Sequence, residues 1–295
     1  MSMNIILNEK KYAEACLSEG KVGESSWQTA QILAKYYYFA LGYRKKKIEK
    51  ELTAFISEND PQYRKNKPRW EENIEKLAAN AGKSPLFEHD YIAITENELK
   101  TIRNAGLPKQ HQQVLFTYLC LAKLGNMRNI RNNSWVSYKT KDVFKLAHVS
   151  LSELNQDIML NDFYVRKLVA FPKKNDNLSV RVTFCEEDGD VAMTVSDFRD
   201  LGYYYLMQIG ENIVQCVECG TYMRGNKAKT KKYCKNCTGY VPLEFKTITC
   251  VDCGKEVQVS SKNNKTCRCE ECQVNRDRER KRLWKMSKVD ATIKS

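Results

Sequence analysis

Nine of the chain's twelve cysteines lie between Cys216 and Cys272, and no other feature limits its possible folds so strongly. They are arranged as Cys216-x-x-Cys219, Cys234-x-x-Cys237, Cys250-x-x-Cys253 and Cys267-x-Cys269-x-x-Cys272. A Cys-x-x-Cys turn directs two thiolates at one point, and a second such turn completes the four soft ligands of a tetrahedral Zn²⁺. Fourteen residues separate Cys219 from Cys234 and fifteen separate Cys253 from Cys269, room for a short β-hairpin that returns the second pair to the first. The stretch is also a tandem repeat: Cys216-Val217-Glu218-Cys219-Gly220 recurs as Cys250-Val251-Asp252-Cys253-Gly254. A glycine after each first pair removes the Cβ where the chain must reverse.

The pattern predicts two zinc ribbons. Their ligand sets are Cys216, Cys219, Cys234 and Cys237, then Cys250, Cys253, Cys269 and Cys272. Cys267 is a spare thiol that competes with Cys269, but only Cys269 keeps the x-x spacing to Cys272. No histidine follows His148, which excludes mixed Cys/His sites here. Four thiolates leave zinc no open position, so both sites are expected to be structural. The alternative of a disulfide framework needs an oxidising compartment. Met1-Ser2-Met3-Asn4-Ile5 does not open a signal peptide, which favours metal in a cytoplasmic chain. A redox Cys-x-x-Cys pair or an iron–sulfur cluster shares the same spacing.

Charge is unevenly spread. Residues 216–295 hold nineteen Lys and Arg against nine Asp and Glu, a balance of +10. The whole chain, 49 against 36, carries +13, so residues 1–215 keep only +3. Short ribbons bury little apolar surface, so metal must stand in for a core there. No run approaches eighteen apolar residues, so no membrane span is expected.

Before the cysteines, the pattern is mainly helical. Helices are expected over 27–41, after Ser25-Ser26, and over 44–56, with Ile48, Leu52, Phe55 and Ile56 on one face. Further helices are expected over 69–79, from Thr95 (a Thr-x-x-Glu98 capping box) to 104, and over 108–124, closed by Gly125. A polar connection, a short helix over 141–147 and a helix over 151–161 opened by a Ser150-x-x-Glu153 box follow. Strands are expected over 165–171 and 178–185, and a helix capped by Ser196 over 197–208. Helix, helix, turn, helix and hairpin is the order of a winged helix-turn-helix. The expected fold is therefore mainly α, of the α+β class. Its divisions are a helical domain at 1–94, a winged-helix-like domain at 95–215, ribbons at 216–240 and 241–274, and a basic tail at 275–295.

In such a fold the helix over 151–161 would enter the major groove. Leu151, Leu154 and Ile158 would form its core stripe and Ser152, Asn155, Gln156 and Met159 would face outward. Asn155 and Gln156 are competent adenine readers. Glu153 and Asp157 oppose a phosphate backbone, so the wing residues Lys173 and Lys174 with Arg166 and Lys167 are the better phosphate candidates. The ribbons carry a stronger footprint: Arg224, Lys227, Lys229, Lys231, Lys232 and Lys235 in the first, and Lys262, Lys265 and Arg268 in the second. Tyr222, Tyr233 and Tyr240 interleave with the first set, a combination suited to nucleic acid. The tail adds Arg276, Arg278, Arg280, Lys281, Arg282, Lys285 and Lys288.

Leu33-Ala34-Lys35-Tyr36, the winged-helix-like middle and the closing Cys-Val-Asp-Cys-Gly ribbon with its Lys/Arg tail resemble uncharacterised proteins encoded by bacteriophages and prophages of Gram-positive bacteria. The resemblance implies a mobile-element protein of the bacterial cytoplasm and carries no site with it. The expected function is nucleic-acid binding, with double-stranded DNA the expected partner, in a regulatory or replication-accessory role with two structural Zn²⁺. The alternative is a ribbon adaptor or inhibitor of a host protein such as RNA polymerase or a defence nuclease. No Gly-rich phosphate loop, paired carboxylates or Cys/His catalytic signature points to an enzyme or a small-molecule substrate; His89, His111 and His148 are scattered.

Overall fold

The computed structural model describes residues 5–172, 179–226, 228, 230–238, 245–260 and 267–293, with side chains omitted at 245, 260 and 284–293. The chain forms two compact units, residues 1–234 and 235–295. It mixes helix and sheet, with ten α-helices and nine strands among the described residues.

Four helices build the first apolar core: α1 (Glu9–Glu19), α2 (Ser26–Phe39), α3 (Lys45–Asn59) and α4 (Lys67–Asn80). Ser25 caps α2 by accepting from the Gln28 N–H, which satisfies one otherwise unpaired donor of the first turn. Ile48, Leu52, Phe55 and Ile56 bury one face of α3, as their spacing requires. Trp70, Ile74, Leu77 and Ala78 do the same for α4. Within the Tyr36–Phe39 run, Tyr37 is buried and stacks on Tyr43 at 5.9 Å, while Tyr38 and Phe39 stay half exposed.

The second core forms around α6 (Lys109–Arg128), which is buried on every side from Gln113 to Leu124 rather than along one face. The helix also runs through Gly125 instead of stopping there. A Cβ at Gly125 would lie 2.5 Å from the Asn132 side-chain amide, so this glycine admits the following loop and is not a cap. Strand β1 (Ile92–Thr95) leads into α5 (Glu96–Asn104) through the expected capping box. The Thr95 N–H donates to Glu98 Oε2 at 2.7 Å, and Thr95 Oγ1 accepts from the Glu98 N–H. Glu98 is fully buried and receives Lys123 Nζ of α6 on both oxygens, at 2.8 and 2.9 Å.

After α6 come β2 (Trp135–Val136), α7 (Thr140–Leu146), α8 (Glu153–Val165), β3 (Val169–Ala170) and β4 (Val180–Val182). The three strands form an antiparallel sheet in the order β2-β4-β3. Strand β5 (Val191–Val195) pairs antiparallel with β1, Ile92 opposite Val195. Helix α9 (Leu201–Gln208) lies against α6.

Four expectations in this region need correction. Ser152, not Ser150, caps α8, accepting from the Asn155 N–H. The buried face of α8 is Gln156, Met159, Leu160 and Phe163; Leu154 (69% exposed) and Ile158 (57%) face solvent. Because α8 starts two residues later than the Ser-x-x-Glu pattern implies and runs to Val165, Phe163 becomes its anchor. The helix also takes the first residue of the expected 165–171 strand, leaving β3 only two residues long. The expected 197–208 helix starts instead at Leu201, since Asp197 Oδ1 accepts from the Arg199 N–H and closes a separate turn first.

Candidate metal centres

Both cysteine clusters are built on the same turn. Strands β6 (Ile213–Gln215) and β7 (Tyr222–Arg224) form a hairpin with Cys216 and Cys219 at its tip. Strands β8 (Phe245–Thr249) and β9 (Glu256–Ser260) do the same for Cys250 and Cys253. In the first turn the Gly220 N–H donates to Cys216 O at 2.9 Å, and the Cys216 N–H donates to Thr221 O. In the second, the Gly254 N–H donates to Cys250 O at 2.9 Å, and the Cys250 N–H donates to Lys255 O. Gly220 and Gly254 sit at φ +70° and +72°, the left-handed region that a Cβ disfavours, as the repeated glycine implied.

The second pairs arrive differently. Cys234 and Cys237 lie in a turn after β7, where the Val217 N–H donates to Lys232 O at 3.0 Å. Cys269 immediately precedes the 24-residue helix α10 (Glu270–Ile293), and Cys272 lies in its first turn. The sequence suggested two ribbons of one kind, yet the second cluster closes on a helix start. Glu270 and Glu271 suit that end of the helix dipole.

Cys216, Cys219, Cys234 and Cys237 bring their sulfurs within 4.8 Å of one another, and so do Cys250, Cys253, Cys269 and Cys272. Cys219 and Cys234 Sγ are 3.6 Å apart, as are Cys253 and Cys269 Sγ. Four sulfurs about 2.3 Å from a central Zn²⁺ would stand about 3.8 Å apart, so the donor sets fit such an ion. Among the described residues no two cysteines form a disulfide. The competition between Cys267 and Cys269 is resolved: Cys267 is exposed outside the cluster, and its sulfur accepts from Arg268 Nη1 at 3.2 Å.

Backbone donors prepare the thiolates. The Cys219 and Cys234 N–H groups hold the Cys216 thiol down at about 6, and the Cys269 N–H, joined by those of Cys253 and Asp252, does so for Cys250. Metal binding needs the deprotonated form, so these bonds favour it.

The β6–β7 hairpin of the first cluster is braced by other elements of its own compact unit. Asp200 is 4% exposed; its Oδ2 accepts from the Tyr222 N–H at 3.0 Å, and its Oδ1 pairs with His148 Nε2 at 2.7 Å. The Tyr222 ring meets Tyr204 edge-on at 4.9 Å. The second cluster is held by its own residues: Arg268 Nε reaches Asp252 Oδ2 at 2.6 Å, and Lys255 pairs with Glu271.

The expected nucleic-acid residues are scattered. Gln156 is buried and its Nε2 donates to Leu151 O at 2.9 Å, so it is not positioned to read a base; Asn155 remains exposed. Met159, expected to face outward, is 1% exposed. Lys231 folds back to donate to Arg224 O, and Arg268 is engaged by Asp252. Arg224 and Lys232 are exposed. Lys173, Lys174, Lys227, Lys229, Lys262 and Lys265, with Tyr240, lie outside the described residues. Along α10, Arg276, Arg278, Arg280, Lys281 and Arg282 are all exposed, with Arg280 paired to Asp277. A signal the sequence reading passed over is the lysine spacing of α7, where Lys141 and Lys145 stand one turn apart.

No protein-family model, curated protein or solved structure matches the chain. No helix among the described residues is long and apolar enough to cross a membrane.

Proposed function

We propose that the chain is a nucleic-acid-binding protein whose two four-cysteine clusters hold structural Zn²⁺. Duplex DNA is its expected target, in a regulatory or replication-accessory role in a phage or mobile element of the bacterial cytoplasm. The carrying observation is α10, which leaves the second cluster as a helix presenting five exposed cations between Arg276 and Arg282. A cationic helix anchored at one end by metal keeps its charges in register along a phosphate backbone and releases counterions on binding. Zinc suits both clusters because four thiolates make a closed, redox-silent site. The order α6-β2-α7-α8-β3-β4, with β4 between β2 and β3, supports a winged helix-turn-helix with α8 as the second helix of the motif.

The test is an anisotropy titration of the full chain with duplex DNA, single-stranded DNA and RNA at several salt concentrations. Arg276, Arg278 and Arg282 have no ion pair among the described residues. Replacing all three by Ala should weaken every sequence alike and flatten log K against log salt by up to about 0.9 for each phosphate no longer neutralised. Absence of salt-dependent binding by the wild type would remove the reading.

A second reading has its own observation. Leu154, Ile158 and Val165 (68% exposed) share one face of α8 beside Glu153 and Asp157. An apolar, acidic helix face suits a protein partner better than a phosphate backbone, which favours an adaptor or inhibitor of a host protein such as RNA polymerase or a defence nuclease. Leu154→Glu would then abolish partner capture and leave nucleic-acid affinity unchanged.

A further inference from the structure

The face of unit 1 beside α8 holds a basic concavity that none of the sequence motifs indicated. It encloses about 880 Å³ and is lined by Lys139, Lys141, Lys145, His148 and Ser150, with Asp142 as a carboxylate on its wall. Lys141 and Lys145 stand one turn apart on α7, and His148 lies in the turn that follows it. The three lysines are exposed and pair with no carboxylate among the described residues. Like charges one turn apart destabilise a helix, and α7 has only seven residues and no side-chain cap. Three lysines against the single carboxylate of Asp142 leave the lining with a surplus of positive charge.

The floor of the concavity is rigid. Val143, Phe144 and Ala147 are at most 1% exposed. The turn after α7 is held at His148 (φ +54°) by the Asp200 bond and by the Tyr203 ring stacked on the imidazole at 4.1 Å. Gly202 packs against that turn so closely that a Cβ would lie 2.0 Å from Ala147 O. The lysines therefore project from a preorganised platform.

We propose that this concavity binds the phosphodiester backbone of nucleic acid, so that α7, and not the outward face of α8, carries the phosphate contacts of unit 1. The inference rests on the nucleic-acid reading and gives it a second, ribbon-independent surface. A free nucleotide fits less well. Phe144 is buried, and Tyr203 already occupies one face of the His148 imidazole, so the lining leaves at most one ring face on which a base could stack.

The test uses the zinc-loaded full chain and a labelled mixed-sequence duplex of about 20 base pairs, titrated across a salt series. The variant is Lys139→Gln/Lys141→Gln/Lys145→Gln. Each phosphate left without its lysine should weaken binding by about tenfold at 0.1 M salt and lower the slope by about 0.9. The triple variant should therefore bind at least tenfold more weakly, with a melting temperature no lower than that of the wild type. Asp142→Asn, which removes the opposing carboxylate, should bind more tightly than wild type, and this arm still decides if the triple variant fails to fold. A wild type that shows no salt-dependent binding overturns both the nucleic-acid reading and the concavity. A wild type that binds while the triple variant keeps its affinity and slope overturns the concavity alone. Protection of the concavity's lysines from acetylation by millimolar AMP or inorganic phosphate, and not by duplex, makes it a small-anion site and overturns the backbone assignment.

Discussion

The two four-cysteine clusters share a turn but not a source of order. Around the first, Met223 is buried, Tyr222 packs on Tyr204, and Asp200 ties the hairpin to α9. In residues 235–295 the buried described side chains are Cys250 and Cys269, both metal-ligand candidates. The same local motif can therefore borrow stability from an apolar core or depend on what its thiolates bind. Burial of apolar area contributes roughly 25 cal/mol per Å², and the described side chains of the second cluster bury almost none.

The largest expected effect follows from removing metal. A chelator should abolish hydrogen-exchange protection across β8, β9 and the start of α10, because folding there is metal binding. The α6–α9 region should keep its protection, and the β6–β7 hairpin should lose only part. Uniform loss across the chain would break the comparison. Acid should act in the same direction. The Cys216 and Cys250 thiols lie at about 6 in the folded turns against an ordinary 9.0. Cys272, in the same cluster as Cys250, is pushed up by its hydrogen bonds to Cys269 and Cys253, so acid acts by protonating the thiolates that the metal needs, and metal retention should fall as pH drops.

Next in size is Lys123→Met. It leaves the fully buried Glu98 without its ammonium partner and should cost about 3–5 kcal/mol of the stability of unit 1, read by chemical denaturation. Metal content should not change, which separates the apolar core from the clusters.

A smaller change sharpens the contrast between the clusters. Asp200→Ala removes the partner of the Tyr222 N–H and of His148 and should cost about 1–3 kcal/mol. Exchange should accelerate in β6–β7 and stay unchanged in β8–β9. Smallest of the set is Gly254→Ala. No described residue lies within 4 Å of the added Cβ, so the expected cost is that of φ +72°, about 1–2 kcal/mol. It should appear as weaker metal retention by the second cluster in a competition titration.

Much of the C-terminal chemistry was legible because cysteine spacing is local. Eight ligand positions and the need for glycine at 220 and 254 follow from residues a few places apart. The helical N-terminal half was legible where an apolar face repeats, as in α3, and where a cap is complete, as at Thr95. Strands β1, β2 and β5 were not, since two to five residues show little alternation and their partners lie far away in sequence. Ile92 meets Val195, and Trp135 meets Arg181. The face of α8 was misread because its apolar residues are almost evenly distributed, and Ser150 and Ser152 are rival caps. The Glu98–Lys123 pair and the α7 lysine concavity depend on tertiary placement that no single window of sequence contains.

The central claim is that two metal ions organise the region from Cys216 to Cys272. Native mass spectrometry of the intact chain, purified under reducing conditions, tests it most directly. The account predicts two Zn²⁺ per chain, two in Cys267→Ser and one in Cys269→Ser. A metal-free chain with disulfides among these cysteines, or equal metal loss from both variants, would contradict it.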